Sequence, residues 1–278
     1  MKKHLALWMA ALLLVVAAQA QQYTFGTYNL RYDNPGDTGN RWVNRAPVVA
    51  ALIQFHDFDV LGTQEGLLNQ LDDLSKALPA YNRYGLGRDD GKDAGEHSAI
   101  FYKKDKFELL QKGDFWLSET PDQPTLGWDA TCCKRICSWV QLKDKKSGKS
   151  FFFFNAHYDH QGVKARIESS KLVLARIKAI AGSKPVVFTG DLNGGHETDC
   201  YKIIATSTLL QDSYTLVSNP YVNNGSFNGF GHNLQSNELI DHVFVTKQFS
   251  VTRYGVLTDT YRGKFSSDHC PVLVNAGL

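Results

Sequence analysis

The amino-acid sequence predicts an α+β fold in which two sheets pack together and helices cover their outer sides. Strand-like runs outnumber helical ones, and several, Phe151–Phe154 above all, are apolar at every position, as in a strand buried on both faces. Amphipathic helical periodicity is confined to three stretches, which suits helices laid on sheets.

In chain order, strands are expected at Tyr23–Tyr28, Val60–Thr63, Ser98–Tyr102, Phe107–Trp116 and Cys137–Leu142. Five more follow at Phe151–Ala156, Pro185–Thr189, His242–Val245, Ser250–Val256 and Val272–Val274. Helices are expected at Arg41–Phe55, Leu67–Leu78 and Lys164–Ala181. In the last, Ile167, Leu172, Leu174, Ile177 and Ile180 form an apolar stripe beside charged positions. The basic stretch Lys143–Lys149 contains Ser-Gly between two strand runs and reads as a solvated hairpin turn. No Pro/Ser-rich linker, repeat or low-complexity tract divides residues 21–278, which read as one domain.

The first 20 residues have another character. Lys2-Lys3 precedes an apolar run from Leu5 to Ala18, and Ala18-Gln19-Ala20 fits the small-x-small pattern of a signal-peptide cleavage site. The run is shorter than the roughly 18 apolar residues of a spanning helix. Residues 1–20 are therefore expected to be a signal peptide, and the product to be periplasmic or extracellular with no transmembrane segment. Cleavage takes Lys2 and Lys3 from 30 basic residues and balances the 28 acidic ones. A near-neutral chain offers no broad electrostatic footprint for a long nucleic acid, although a local basic groove stays open.

An odd cysteine count, five, leaves at least one thiol unpaired within the chain. Cys132, Cys133 and Cys137 lack a second pair at zinc-finger spacing, and Cys270 heads an apolar strand as a small hydrophobe.

Several strand runs end in compact polar groups. These are Asn29, Glu65, Asn155-Ala156-His157, Gly190-Asp191-Leu192-Asn193, Ile240-Asp241 and Ser266-Ser267-Asp268-His269. Singly, each has an ordinary reading: a turn at Asn29, a helix cap at Glu65, an Asx-turn at Asp191 and Asn193, a surface histidine at His157, a cap at Asp268-His269. Jointly, at strand ends and in this order, they can surround one cleft.

Together these motifs resemble the endonuclease/exonuclease/phosphatase superfamily, from about Thr24 to Val274. GDLN and SSDHCPV are the most specific pieces, with TQE and NAH in the right order. TYNLRYDN, NAHYDHQGVKARIES and IDHVFV resemble an exported bacterial branch with poorly defined substrates. The resemblance implies a four-layer αββα sandwich with its site at one edge of the central sheets. It also implies hydrolysis of a phosphomonoester or phosphodiester by in-line attack of water. Two departures stand out. Arg31 occupies the place where some nucleases carry Asp, with Asp33 further on, and His242 replaces a frequent Tyr and reads as a half-buried strand histidine.

Carboxylate and amide oxygens suit Mg2+ or Mn2+, with Ca2+ also accommodated; zinc is disfavoured because no Cys/His set is suitably grouped. Glu65 and Asn29 are expected to hold the ion, with Asp268 completing its surroundings. Asp191 is the expected base toward water, and Asn193 its positioner. His269, oriented by Asp241, would donate to a phosphoryl oxygen, and His157 would stabilise the transition state or assist the leaving oxygen. Arg166, Arg135 and His160 are candidates for substrate binding; Trp116, Trp128 and Trp139 are either a substrate wall or core. A small phosphoester is favoured over a secreted nuclease or a sphingomyelinase-like lipid phosphodiesterase, and a non-catalytic binding protein on the same fold is the alternative of another class.

Overall fold

A computed structural model describes residues 21–278; the expected signal peptide, residues 1–20, lies outside the described residues. The chain begins with β1 (Gln22–Asn29), α1 (Trp42–His56), β2 (Val60–Gln64), α2 (Leu68–Ala77), β3 (Tyr81–Tyr84), β4 (Ile100–Lys103) and β5 (Phe107–Trp116). It continues through β6 (Ile136–Asp144), β7 (Ser150–His157), α3 (Val163–Ala181), β8 (Val186–Asp191), α4 (Asp199–Ala205) and β9 (Gln211–Asp212). It ends with β10 (Asp241–Val245), β11 (Ser250–Val256), β12 (Thr260–Tyr261), β13 (Lys264–Phe265) and β14 (Val272–Gly277).

Two mixed six-stranded sheets result, in the orders β11-β14-β1-β2-β4-β3 and β5-β6-β7-β8-β10-β9. Each contains one parallel pair, β1 with β2 and β7 with β8. A parallel pair needs a crossover, and α1 and α3 supply the two crossovers. The sandwich expected from the sequence is thus observed.

Three apolar cores separate the four layers. Phe25, Val60, Phe151, Phe153 and Val274 fill the space between the sheets. Phe152, Phe154 and Phe188 meet Val173 and Ile177 of α3, whereas Leu61 and Phe101 meet Val49 and Ile53 of α1. Strand alternation therefore sends Phe151 and Phe153 one way and Phe152 and Phe154 the other, which explains the unbroken run of phenylalanine.

Near one end the central core turns polar. Asn155 accepts from Gln64 Nε2 at 2.6 Å and donates to Thr63 O at 2.8 Å, tying β7 of one sheet to β2 of the other. Gly62 makes this approach possible, since a Cβ there would stand 2.4 Å from Asn155 Oδ1. Asn155 is thus a strut beneath the site, not one of its walls.

The Lys143–Lys149 segment is the β6–β7 hairpin, with Asp144 Oδ1 accepting the Lys146 N–H at 2.9 Å. Cys132 and Cys133 form a disulfide between adjacent residues, and Cys137, Cys200 and Cys270 are buried free thiols. Among the described residues no helix is long and apolar enough to cross a membrane.

Candidate active site

The two parallel pairs set the site. Asn29 ends β1 in register with Gln64, next to Glu65, while His157 ends β7 in register with Asp191 of β8. Asp241 of β10 lies opposite Asp191. The ends of both sheets thereby open on one cleft of about 590 Å3, lined by Arg31, Tyr32, Glu65, Arg88, Glu96, Arg135, His157, His160, Asp191, Asn193, Asp268 and His269. Cys132, Cys133, Phe227 and Ile240 complete its wall.

Asn29, wholly buried, is the link at the cleft floor. Its Nδ2 donates to Glu65 Oε1 and to Asp191 Oδ2, each at 3.0 Å, and its Oδ1 accepts the Arg31 N–H at 2.9 Å. Glu65 Oε2 accepts the Tyr32 N–H at 3.1 Å. Arg31, Glu65 and Asn193 hold left-handed backbone at φ 55°, 62° and 47°. Such strain in non-glycine residues concentrates at functional sites, where surrounding structure enforces it.

Asp191, Asp241 and His269 form a buried relay. His269 Nδ1 donates to Asp241 Oδ2 at 2.8 Å, and its Nε2 stands 3.7 Å from Asp191 Oδ2. Burial, followed by the Asp241 charge, pushes the Asp191 carboxyl up to about 7, against the lowering effect of His269. Burial would lower the His269 pKa, but Asp241 and then Asp191 outweigh it and hold the imidazole charged well above its ordinary range. Asp191 Oδ1 accepts the Asn193 N–H at 2.8 Å, closing an Asx-turn.

His157 has the opposite electrostatics. Asn193 Nδ2 donates to its Nε2 at 3.1 Å, which leaves the proton on Nδ1, 3.7 Å from Glu96 Oε2 and without a partner. Burial and the charges of Arg135 and Arg88 push its pKa well down. His157 is therefore held in the neutral form, with its N–H on Nδ1.

The remaining candidates divide. Arg135 lines the cleft, bonded to His160 Nδ1 at 2.8 Å and lying 3.4 Å from Asp159, with its buried Nη1 unpartnered. Arg166 stands elsewhere: its guanidinium donates to Asp159 O at 3.0 Å and lines a separate groove with Val163 and Glu197. Trp116, Trp128 and Trp139 are absent from the cleft lining, and Trp139 packs on Phe154. His242 is fully buried, not half-buried.

Four contributors were not foreseen. Arg88 and Glu96, paired at 2.6 Å, come from a Gly/Asp-rich loop whose composition reads only as a turn. Arg31 fills the cleft rim, bound to Asp37 at 2.9 Å and 3.7 Å from Asp268. Wholly buried Arg45 donates to Leu30 O, Arg31 O and Ser266 O, so it holds the chain after Asn29 against the chain before Asp268. An arginine inside a helical pattern carries no sequence signal of that duty.

Two places suit a cation. Asp191, Asp241 and His269 bring one ligand atom each within 4.8 Å of one another, but His269 Nδ1 is committed to Asp241 and the charged ring keeps its other proton on Nε2. Glu65 and Asp268 fit a divalent ion better. Burial, and then the Glu65 charge, raises the Asp268 carboxyl against the lowering effects of His269, Arg31 and Arg45, and Arg31 is shared with Asp37. This excess of carboxylate oxygen suits a hard dication.

The comparisons with known proteins agree with this geometry. A sequence model of the Endonuclease/Exonuclease/phosphatase family matches residues 26–269. An endonuclease/exonuclease/phosphatase family protein of Bacteroides thetaiotaomicron is 48% identical, with a TM-score of 0.90 over 93% of this chain and 98% of its own. The mannosyl-6-phosphatase Bt3783 of Bacteroides thetaiotaomicron VPI-5482 is also 48% identical, with a TM-score of 0.89 over 92% of this chain and 100% of its own. The uncharacterized protein R895 of Acanthamoeba polyphaga mimivirus is 27% identical over 68% of this chain, which spans 32% of that larger protein.

Proposed function

We propose that this chain, which belongs to the Endonuclease/Exonuclease/phosphatase family, is an exported, divalent-metal-dependent phosphatase acting on small phosphomonoesters, with sugar phosphates as the substrate class. The observation that carries the reading is the buried relay of Asp241, His269 and Asp191 in a cleft rimmed by arginines. The size of the cleft, about 590 Å3, suits a small ligand. The full-length likeness to a mannosyl-6-phosphatase supports a sugar phosphate. Export rests on the signal-like residues 1–20.

Glu65, Asp268 and, on reorientation of its amide, Asn29 would hold Mg2+ or Mn2+, with Ca2+ also accommodated. The bound ion would supply charge stabilisation at a phosphoryl oxygen. Asp191 accepts the proton of the attacking water, since a base with a pKa near the working pH transfers protons efficiently. Charged His269 donates from Nε2 to a phosphoryl oxygen, with Asp241 fixing its ring. Arg31, Arg88 and Arg135 offer charge-assisted donors to the phosphate. Neutral His157 stands in the cleft wall with its Nδ1–H beside Glu96.

A substrate panel tests the reading. Hexose 6-phosphates should be turned over with Mg2+ or Mn2+ at a kcat/KM about 10²-fold above aryl phosphodiesters, DNA or sphingomyelin vesicles, and EDTA should abolish the activity. A preference for a diester, nucleic acid or lipid would overturn the proposed class. Absence of metal-dependent turnover on every substrate would point to a binding protein.

A pH profile tests the relay. Activity should rise with pH as Asp191 deprotonates near 7 and fall at alkaline pH as His269 loses its proton. Asp241→Asn removes a negative charge that raises both groups, so both limbs should move to lower pH. An unmoved profile in the variant would separate Asp241 from the titrating groups.

A further inference from the structure

We propose that His196, Asp212 and His242 form a transition-metal site of the kind that takes Zn2+, set on the outer side of the second sheet and apart from the cleft. None of the three lines the cleft. His242 follows Asp241 on β10, and strand alternation turns it away from His269, onto Tyr201 of α4 at a ring separation of 5.0 Å. Asp212 comes from β9 and His196 from the segment following β8.

One ligand atom from each residue lies within 4.8 Å of the other two. His196 Nε2 is buried without a hydrogen-bond partner, 3.7 Å from Asp212 Oδ2. That distance is too long for a hydrogen bond. Two donors sharing a tetrahedral zinc ion at about 2.0–2.1 Å would stand roughly 3.3 Å apart, so a small closure seats the ion.

The surroundings prepare the ligands. His242 Nε2 donates to Gly194 O at 3.0 Å, which fixes its tautomer and leaves a lone pair on the other ring nitrogen. Asp212, only 3% exposed, accepts the Tyr201 hydroxyl at 2.7 Å and the Tyr214 N–H at 3.0 Å. Among the described residues it has no ion pair with lysine or arginine. A buried carboxylate without a full counter-charge is unfavourable, and a dication beside it supplies one.

Two imidazoles and one carboxylate favour zinc over magnesium or calcium, so this site and the oxygen-rich cleft would select different ions. The His196 side chain is 33% exposed, which gives the ion an approach and leaves room for a water ligand. Gly194 and His196 belong to the segment that leaves Asp191 and Asn193, so an ion here would fasten that segment to β9 and β10.

The test uses chelator-stripped protein carrying Glu65→Gln, which weakens the cleft's hold on cations. Titration with Zn2+ should show one bound equivalent and a raised thermal midpoint, and Co2+ should give the intense visible bands of a tetrahedral N/O site. Adding His196→Ala or Asp212→Asn should weaken Zn2+ binding by about 10²-fold or more and abolish the cobalt bands. His196 is partly exposed and Asn retains an acceptor for Tyr201, so both variants are expected to keep the parent's circular dichroism; His196→Gln replaces His196→Ala should the latter not fold. A parent that binds no Zn2+, or an equivalent that survives both substitutions, would overturn the proposal.

Discussion

Asp191→Asn is expected to lower kcat by about 10³-fold, within the range that a positioned base contributes, while leaving the fold intact. The substitution removes the proton acceptor but keeps an oxygen able to receive the Asn193 N–H at 2.8 Å. Asp191 is 1% exposed, and its raised pKa shows that its ionised form is unfavourable there. A neutral amide relieves that burden but turns an N–H toward Asn29 Nδ2, whose hydrogen bond Asp191 Oδ2 accepts at 3.0 Å. The two effects offset, so the fold should persist as turnover collapses. Steady-state kinetics beside thermal denaturation checks both halves. Near-normal turnover would remove Asp191 from proton transfer, and a collapsed midpoint would make its role structural.

His269→Ala is expected to lower kcat by about 10²–10³-fold, the usual loss when one donor to a developing negative charge is deleted. The pH profile distinguishes this loss from general damage. His269 lowers the Asp191 pKa and Asp241 raises it, so deleting the imidazole leaves two buried carboxylates facing each other. Residual activity should therefore require higher pH than in the parent, and the alkaline limb assigned to His269 should vanish. If the limbs stay in place, the relay is not what titrates.

The layers were legible because burial on both faces leaves a compositional mark, as in Phe151–Phe154, Val186–Phe188 and Val272–Val274. The strand Tyr81–Tyr84 escaped because its residues are half-buried or exposed and alternate no apolar face. Strands of two residues, such as Gln211–Asp212, are too short to show a period. Most named site residues do meet in one cleft, because most lie at or beside one end of a recognisable strand. Arg88, Glu96 and Arg45 act through distances between loops and layers that no local pattern encodes. Arg166 shows the converse, since a helix start close to a site strand does not fix which way its side chain turns. The grouping of His196, Asp212 and His242 was hidden for the same reason: three separate elements deliver its members.

β1 pairs with β14 from Gln22 opposite Gly277 to Thr27 opposite Val272, so the first and last strands of the described chain are neighbours. That pairing, with the Arg45 bonds to Leu30 O and Ser266 O, brings Asn29 and His269 to the same cleft. Assembly of the cleft therefore depends on contacts between residues more than two hundred positions apart. A nascent or C-terminally clipped chain holds Asn29, Glu65 and Asp191 without the charged donor that answers them. Such long-range closure is entropically demanding and slow relative to helix formation.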